Sequence, residues 1–225
     1  MTPENFLEEL TKIFKKHANA ENAIAMSKYM KNLFPFYGLK KPLRAEVTKP
    51  LIQSVKQSVD EDWIIKTTAL LWKQKQREYH YIAIELFRVF KKQITPKSFP
   101  HIEKMVLQNS WWDSVDGLVG NIISLLVRKY PELKKEMKRY ENEKNMWLRR
   151  VAIIHQLPYG KDTDAEFLLK ACEQNMKDQE FFIRKAIGWA LRQYAKTNSK
   201  AVYSFVESNR SALSNLSVRE ALKHK

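Results

Sequence analysis

The chain has 225 residues, a formal net charge of +15 and a sequence pI near 9.7, and 44% of its residues are hydrophobic. This composition allows a sizeable core and favours a polyanionic partner, although a cationic surface can also serve solubility alone. Only five glycines occur, and there is neither a GxGxxG nor a Walker motif, which disfavours β-rich folds and phosphate-binding loops.

The single cysteine, Cys172, excludes an intramolecular disulfide and fits a reducing cytoplasm. The five histidines are scattered without metal-ligand spacing, and the longest apolar run is far too short to cross a membrane. We therefore predict a cytoplasmic protein with no cofactor, no metal ion and no membrane partner.

Apolar residues recur at helical spacing from one end of the chain to the other. The first helix is predicted to begin with Thr2 as its N-cap and Pro3 in its first turn. No stretch alternates with period two, so we predict no strand. Further helices are predicted over 21–33, 43–57, 60–73, 78–91, 97–108, 111–129, 131–141, 146–157, 163–176, 179–196 and 199–208, with a short turn near 215–222.

Three aromatic residues that open long apolar helices, Trp112, Trp147 and Phe182, are 35 residues apart. A period of this length with two helices per unit is typical of HEAT-type arrays. The sequence therefore predicts an all-α superhelix (solenoid) of HEAT-like helix pairs with a concave basic groove, formed as one domain over 1–225. The alternative is that the aromatic spacing is coincidental.

The segment SWWDSVD, residues 110–116, places carboxylates and indoles together in a cationic protein. Ser110 is predicted to be a helix N-cap, with Asp113 as its capping partner. Asp116 lies four residues after Trp112 and shares its helix face. Asp116 is suited to stabilising positive charge or orienting a water, and the alternative is a second capping or salt-bridging aspartate.

A second candidate group surrounds Trp189, because Lys185, Arg192 and Lys196 share its predicted helix face. An indole among cations suits a sugar or a base flanked by phosphates. The alternative is an indole lying against lysine stems on a solvated face. Arg150 occupies the matching position of the preceding unit, where it would clamp a phosphate, support Asp116 or simply lie at the surface.

The remaining three tryptophans, Trp63, Trp72 and Trp111, are predicted to be core residues.

SWWDSVD, WLRR at 147–150 and EFFIRKAIGWALRQYAKTN at 180–198, with MSKYMKNLF near the N-terminus, closely resemble the AlkD family of bacterial DNA alkylation-repair glycosylases. The similarity covers essentially the entire chain. It implies a HEAT-like α-solenoid that releases N3- and N7-alkylated purines from duplex DNA. The implied active-site residues are Trp112, Asp116, Arg150 and Trp189, and the family's N-terminal tyrosine corresponds to Tyr29.

The resemblance also implies that the damaged base stays stacked in the duplex, whereas most glycosylases extrude their target. The predicted DNA contacts are Tyr29, Arg149, Lys185, Arg192 and Lys196, and Arg149 transfers less securely from the family.

The residues leave three functions open. The first is a monofunctional glycosylase that acts on 3-methyladenine and 7-methylguanine in double-stranded DNA, in a bacterial, nucleoid-associated setting. The second is a non-catalytic HEAT-like module that binds distorted or branched DNA, and the third is a protein–protein scaffold. We expect a monomer, because a plausible capping helix stands at each end.

Overall fold

A computed structural model describes residues 1–223, so residues 224 and 225 of the predicted 1–225 domain lie outside the described residues. The described chain is helical and contains no strand, which confirms the predicted all-α class. The helices are α1 Pro3–Lys16, α2 Ala20–Tyr29, α3 Lys41–Ser54, α4 Glu61–Trp72, α5 Arg77–Val89, α6 Phe99–Leu107, α7 Trp112–Leu118, α8 Ser124–Lys129, α9 Lys134–Tyr140, α10 Met146–Ile154, α11 Ala165–Asn175, α12 Phe181–Ala195, α13 Ser199–Ser208 and α14 Asn215–Ala221. None of these is long and apolar enough to span a bilayer.

The chain divides into two compact units, Met1–Met105 and Val106–Lys225, and the boundary falls within α6. The single domain over 1–225 stays a prediction.

In the first unit, α1 packs against α3 and α4, and α4 packs against α5. The predicted start of α1 is confirmed, since the Thr2 side chain accepts from the Asn5 amide and Pro3 follows it. The carboxylate of Glu78 is fully buried and accepts the backbone amides of residues 37–39, at 2.8 to 3.2 Å. These bonds compensate the burial of its charge and fix the connection into α3.

In the second unit, each helix from α9 to α14 packs on its neighbours in the chain. The α10 helix contacts α7, α9, α11 and α12, and α12 in turn contacts α13 and α14. This stacking is what a helix-pair solenoid requires, because no pair can bury its apolar face alone. Both α10 and α12 carry largely buried apolar residues, so the side chains on their remaining faces are held in fixed positions.

The helix predicted over 111–129 is interrupted. After α7 the chain makes a π-helical turn, Val119–Ile123, and then continues as α8. The Asn121 side chain donates to the Gly117 carbonyl at 2.7 Å across this turn. Such turns shift the register of a helix and often lie next to functional residues; this one follows Asp116 closely.

The three predicted core tryptophans differ in burial. Trp63 and Trp72 are buried, as predicted, and the Trp63 indole donates to the Met1 carbonyl at 2.8 Å. Trp111 is only half-buried, and its ring lies 6.0 Å from that of Trp147 and 5.1 Å from that of Phe182. The residue that meets the other two repeat aromatics is therefore Trp111, one position before the predicted Trp112.

Candidate active site

The start of α7 differs from the prediction by one residue. The N-cap is Trp111 and not Ser110, whose hydroxyl donates to the Val106 carbonyl at 2.6 Å. The capping side chain is Ser114, which accepts from the Trp111 amide at 3.4 Å and donates to the Trp111 carbonyl at 3.1 Å. The proposed Ser110–Asp113 capping box is therefore wrong. The backbone of Trp111 is extended, and the Ser114 side chain bonds to it, so α7 begins at Trp112.

Asp116 and Arg150 form a two-pronged ion pair between α7 and α10. Arg150 Nε donates to Asp116 Oδ1 and Arg150 Nη2 donates to Asp116 Oδ2, both at 2.7 Å. The third prong, Nη1, donates to the Phe182 carbonyl of α12 at 2.5 Å. This planar fork fixes the orientation of the carboxylate as well as its position.

The two members of this pair differ in exposure. The Arg150 side chain is 1% exposed, whereas the Asp116 side chain is 24% exposed. The predicted surface position for Arg150 is therefore wrong. Two roles remain, to clamp a phosphate or to hold Asp116 in place, and the geometry of Arg150 favours the second. The arrangement presents an anion to solvent and hides its counter-charge behind it.

Trp189 of α12 is half-buried between two cations. Arg150 Cζ lies 5.3 Å from the ring centroid and Lys185 Nζ lies 5.5 Å from it. Both distances are within the range of cation–π attraction. Trp189 therefore links the Asp116–Arg150 pair to the cations of its own helix, and the lysine-stem alternative for its indole remains open.

Two of the cations predicted around Trp189 share one carboxylate, that of Glu220 in α14. Lys185 Nζ donates to Glu220 Oε1 and Arg192 Nη1 donates to Glu220 Oε2, each at 2.7 Å. The hydrogen bond from Lys185 lowers the pKa of Glu220, and the bond from Arg192 adds to this effect while burial opposes it. Glu220 was not among the predicted site residues, because its segment was predicted only as a terminal turn.

Close packing places Glu220 there. A Cβ atom at Gly188 would lie 2.4 Å from the Glu220 Cβ and 3.0 Å from the Ser217 carbonyl oxygen, so only glycine lets α12 and α14 approach this closely. The fully buried Ser217 hydroxyl donates to the Arg184 carbonyl at 2.9 Å and ties the same two helices together.

The other predicted DNA contacts lie in different settings. Arg149 donates to the Glu143 and Lys144 carbonyls and pairs with Asp178 at 2.7 Å, so most of its guanidinium has protein partners. Lys196 is exposed at the C-cap of α12.

Trp112 is half-buried at the first position of α7, and Tyr29 ends α2 in the other unit with 69% of its surface exposed. The structure thus brings Asp116, Arg150 and Trp189 together, and the DNA contacts stay predictions.

A sequence profile of the family described as DNA alkylation repair enzyme matches residues 10–224. Among solved structures, a predicted DNA alkylation repair enzyme from Enterococcus faecalis is 33% identical, with a TM-score of 0.86 over 92% of this chain and 96% of that one. The protein smu.31 from Streptococcus mutans UA159 is 18% identical, with a TM-score of 0.61 over 81% and 96%, and shows the fold alone. No curated protein sequence gives a significant match.

The profile spans nearly the whole chain, and the chain also aligns with almost the full length of the Enterococcus faecalis protein. The matched region includes Asp116, Arg150 and Trp189. The chain therefore belongs to the DNA alkylation repair enzyme family.

Proposed function

We propose that the protein is a monofunctional DNA glycosylase that hydrolyses the N-glycosidic bond of N3- and N7-alkylpurines in duplex DNA, with Asp116 facing the deoxyribose. The observation that carries this proposal is the outward-facing Asp116 carboxylate backed by a buried Arg150. Family membership supports DNA as the partner, and the net charge of +15 supports attraction to it.

The substrate chemistry suits a single anion. Alkylation at N3 or N7 leaves the purine cationic, so it departs as a neutral base and needs no general acid. Most glycoside hydrolases use two carboxylates, of which one is that acid. Here the positive charge passes to the deoxyribose as the bond breaks. The attraction between the sugar and a neighbouring anion is therefore stronger in the transition state than in the ground state. Asp116 accepts from Arg150 on both oxygens and keeps solvent-facing lone pairs for the sugar cation or the attacking water.

Arg150 reduces the size of this effect. A carboxylate ~4 Å from the sugar cation attracts it by ~4 kcal/mol at an effective dielectric of ~20, and a guanidinium behind it at ~8 Å repels it by ~2 kcal/mol. The intact pair thus supplies ~2 kcal/mol, or about thirtyfold in rate. Asp116→Asn would replace this net attraction by ~2 kcal/mol of repulsion, so the total change is ~4 kcal/mol and about a thousandfold.

Retention of the lesion in the base stack is part of this proposal. An enzyme that reaches the sugar needs no pocket for an extruded base, and the half-buried Trp112 and Trp189 would cover the sugar rather than sandwich such a base.

The test is release of free base from a duplex that carries one 7-methylguanine, measured under single-turnover conditions. We expect release by the wild type, a loss of about a thousandfold in Asp116→Asn, and near-normal release in Asp162→Asn. Asp162 is the control because it is an aspartate of the same unit whose ion pair, with Arg128, is exposed. Release at the wild-type rate by Asp116→Asn would refute this mechanism, and duplex binding without release by the wild type would favour the non-catalytic DNA-binding alternative.

A further inference from the structure

We infer that Glu220 is a positioning residue for base release, which holds Lys185 and Arg192 as a fixed phosphate clamp beside Trp189. This inference rests on the proposed function, and it assigns a task to the C-terminal helix α14. The clamp is defined here as Glu220, Lys185 and Arg192.

In the clamp, the carboxylate is less exposed to solvent than the two cations that it binds. The Glu220 side chain is 12% exposed, whereas those of Lys185 and Arg192 are each 25% exposed. A carboxylate that served only to neutralise surface charge would gain from being at the surface, where water also stabilises it. Glu220 instead lies on the protein side and accepts from both cations, so their heads are fixed while their outer faces remain open.

Both cations keep donors for a further ligand. An ammonium has three N–H groups and a guanidinium has five, and the two bonds to Glu220 use one N–H from each side chain. One carboxylate against two cations leaves the clamp with a net charge of +1. A DNA phosphate is an anion of matching charge whose oxygens accept several hydrogen bonds, so it can join this arrangement without displacing Glu220.

The clamp is coupled to the reacting centre through Trp189. Lys185 Nζ lies 5.5 Å from the Trp189 ring centroid, and on the same ring Arg150 Cζ lies 5.3 Å away. Arg150 in turn orients Asp116. A phosphate fixed by Lys185 and Arg192 therefore sets where the neighbouring sugar meets the carboxylate, and a misplacement of about 1 Å can cost as much as a hundredfold in rate.

The packing of α14 shows that the position of Glu220 is defined by the fold. Glu220 packs directly on Gly188, where the Cβ of any other residue would clash with it. One turn earlier, Ser217 bonds α14 to the Arg184 carbonyl of α12. Freely rotating lysine and arginine side chains would have to be ordered when DNA binds, whereas Glu220 orders them beforehand.

The first experiment compares wild type with Glu220→Gln, using single-turnover release of 7-methylguanine and binding to undamaged duplex DNA between 50 and 200 mM salt. We expect the rate of release at saturating protein to fall about tenfold. Binding to undamaged duplex should not weaken, and its log–log salt slope should steepen by about 0.9, because one neutralising carboxylate is gone. The control is Asp162→Asn, which breaks the exposed Arg128–Asp162 pair of the same unit and should change only the salt slope.

The second experiment repeats Glu220→Gln in a Lys185→Met/Arg192→Met background. If Glu220 acts through these two cations, the substitution should have no further effect on the rate there, since interacting sites are not additive. An unchanged rate in the single variant, or a full tenfold loss in the cation-free background, would overturn the inference. A joint loss of rate, binding and melting temperature would also overturn it, because it would mark a purely structural carboxylate.

The two proposals fail in different ways. If the wild type releases no base, the proposed function fails, whatever the clamp does. If the wild type releases base and Glu220→Gln does so equally fast, only the clamp fails.

Discussion

Two ion-pair clusters flank Trp189, and they have opposite polarity. In the Asp116–Arg150 pair the cation is buried at 1% exposure and the anion faces outward at 24%. In the clamp the anion is the less exposed member at 12%, and the two cations face outward at 25%. The bond lengths are the same, 2.7 Å in each case, so the difference lies only in which partner the fold covers.

This difference matches the two charges of the proposed substrate. A sugar that becomes cationic requires an anion, and its backbone phosphate requires cations. The sugar and the phosphate are neighbours in DNA, so both kinds of charge are needed close together. An isolated outward carboxylate would repel DNA, and isolated outward cations would do nothing for bond cleavage. Because one sign is the less exposed in each cluster, both signs can be presented from neighbouring positions, with Trp189 between them.

The largest expected difference in stability is between the two carboxylates themselves. Asp116→Asn leaves the buried Arg150 guanidinium without an anion and should lower the free energy of unfolding by about 3 kcal/mol. Glu220→Gln leaves two cations that water can reach and should cost about 1 kcal/mol or less. Urea unfolding of both variants at pH 7 measures this, and equal losses would show that burial does not separate the two clusters.

A smaller effect is expected from Arg150→Lys, which keeps the charge and removes the fork. An ammonium at this depth cannot reach both Asp116 oxygens and the Phe182 carbonyl together. We expect a loss of about 2 kcal/mol in unfolding free energy, together with about a thirtyfold slower base release because the carboxylate is no longer oriented. Lys185→Arg is the matched exchange in the clamp, where a fork is not required; a comparable loss there would remove the distinction.

Much of the fold follows from helical periodicity, capping and proline positions. These signals found the start of α1 and the α-helices from α1 to α13, with shifts of a few residues at the ends, although α7 and α8 were predicted as one helix and α14 only as a turn. The exception is local. The helix predicted over 111–129 contains a π-helical turn that no propensity indicates. This feature does not depend on the local sequence alone, because packing against neighbouring helices decides whether such a turn is retained.

The site was predictable in its chemistry but not in its pairing. Charge alone could not tell that Arg150 is buried and Arg149 is engaged by Asp178 and two carbonyls, although the two residues are adjacent. The repeat interval holds the missing signal. Asp116 and Arg150 are 34 residues apart, Lys185 and Glu220 are 35 apart, and further contacts recur at this spacing elsewhere in the second unit. A search for opposite charges at that interval would have found Glu220.

Gly188→Ala tests the close packing of α12 and α14 that holds the clamp in place. The new methyl group would lie 2.4 Å from the Glu220 Cβ and force α14 away from α12. We expect a loss of about 1.5 kcal/mol in unfolding free energy, since the overpacking outweighs the better helix propensity of alanine.

Gly120→Ala is the matched control, because a Cβ atom there meets no described atom within 4 Å. Its stability should be unchanged or slightly higher. If both alanine variants behaved alike, the close approach of α12 and α14 would not be what positions Glu220.

The smallest expected effect is the pH dependence of the clamp. The bond from Lys185, with that from Arg192, lowers the pKa of Glu220 below its ordinary value of 4.5. A carboxylate whose pKa is lower in the folded state stabilises the fold above its unfolded pKa, and this contribution disappears as the pH falls through the folded value. The difference in unfolding free energy between wild type and Glu220→Gln should therefore be constant, at about 1 kcal/mol or less, from pH 7 to pH 5. It should then disappear as the pH falls below the ordinary value of 4.5 and through the lower folded pKa. Because the two proteins differ only at Glu220, urea unfolding from pH 7 down to about pH 2.5 isolates this one group. A difference that persisted at the lowest pH would mean that Glu220 stabilises α14 by packing rather than by its charge.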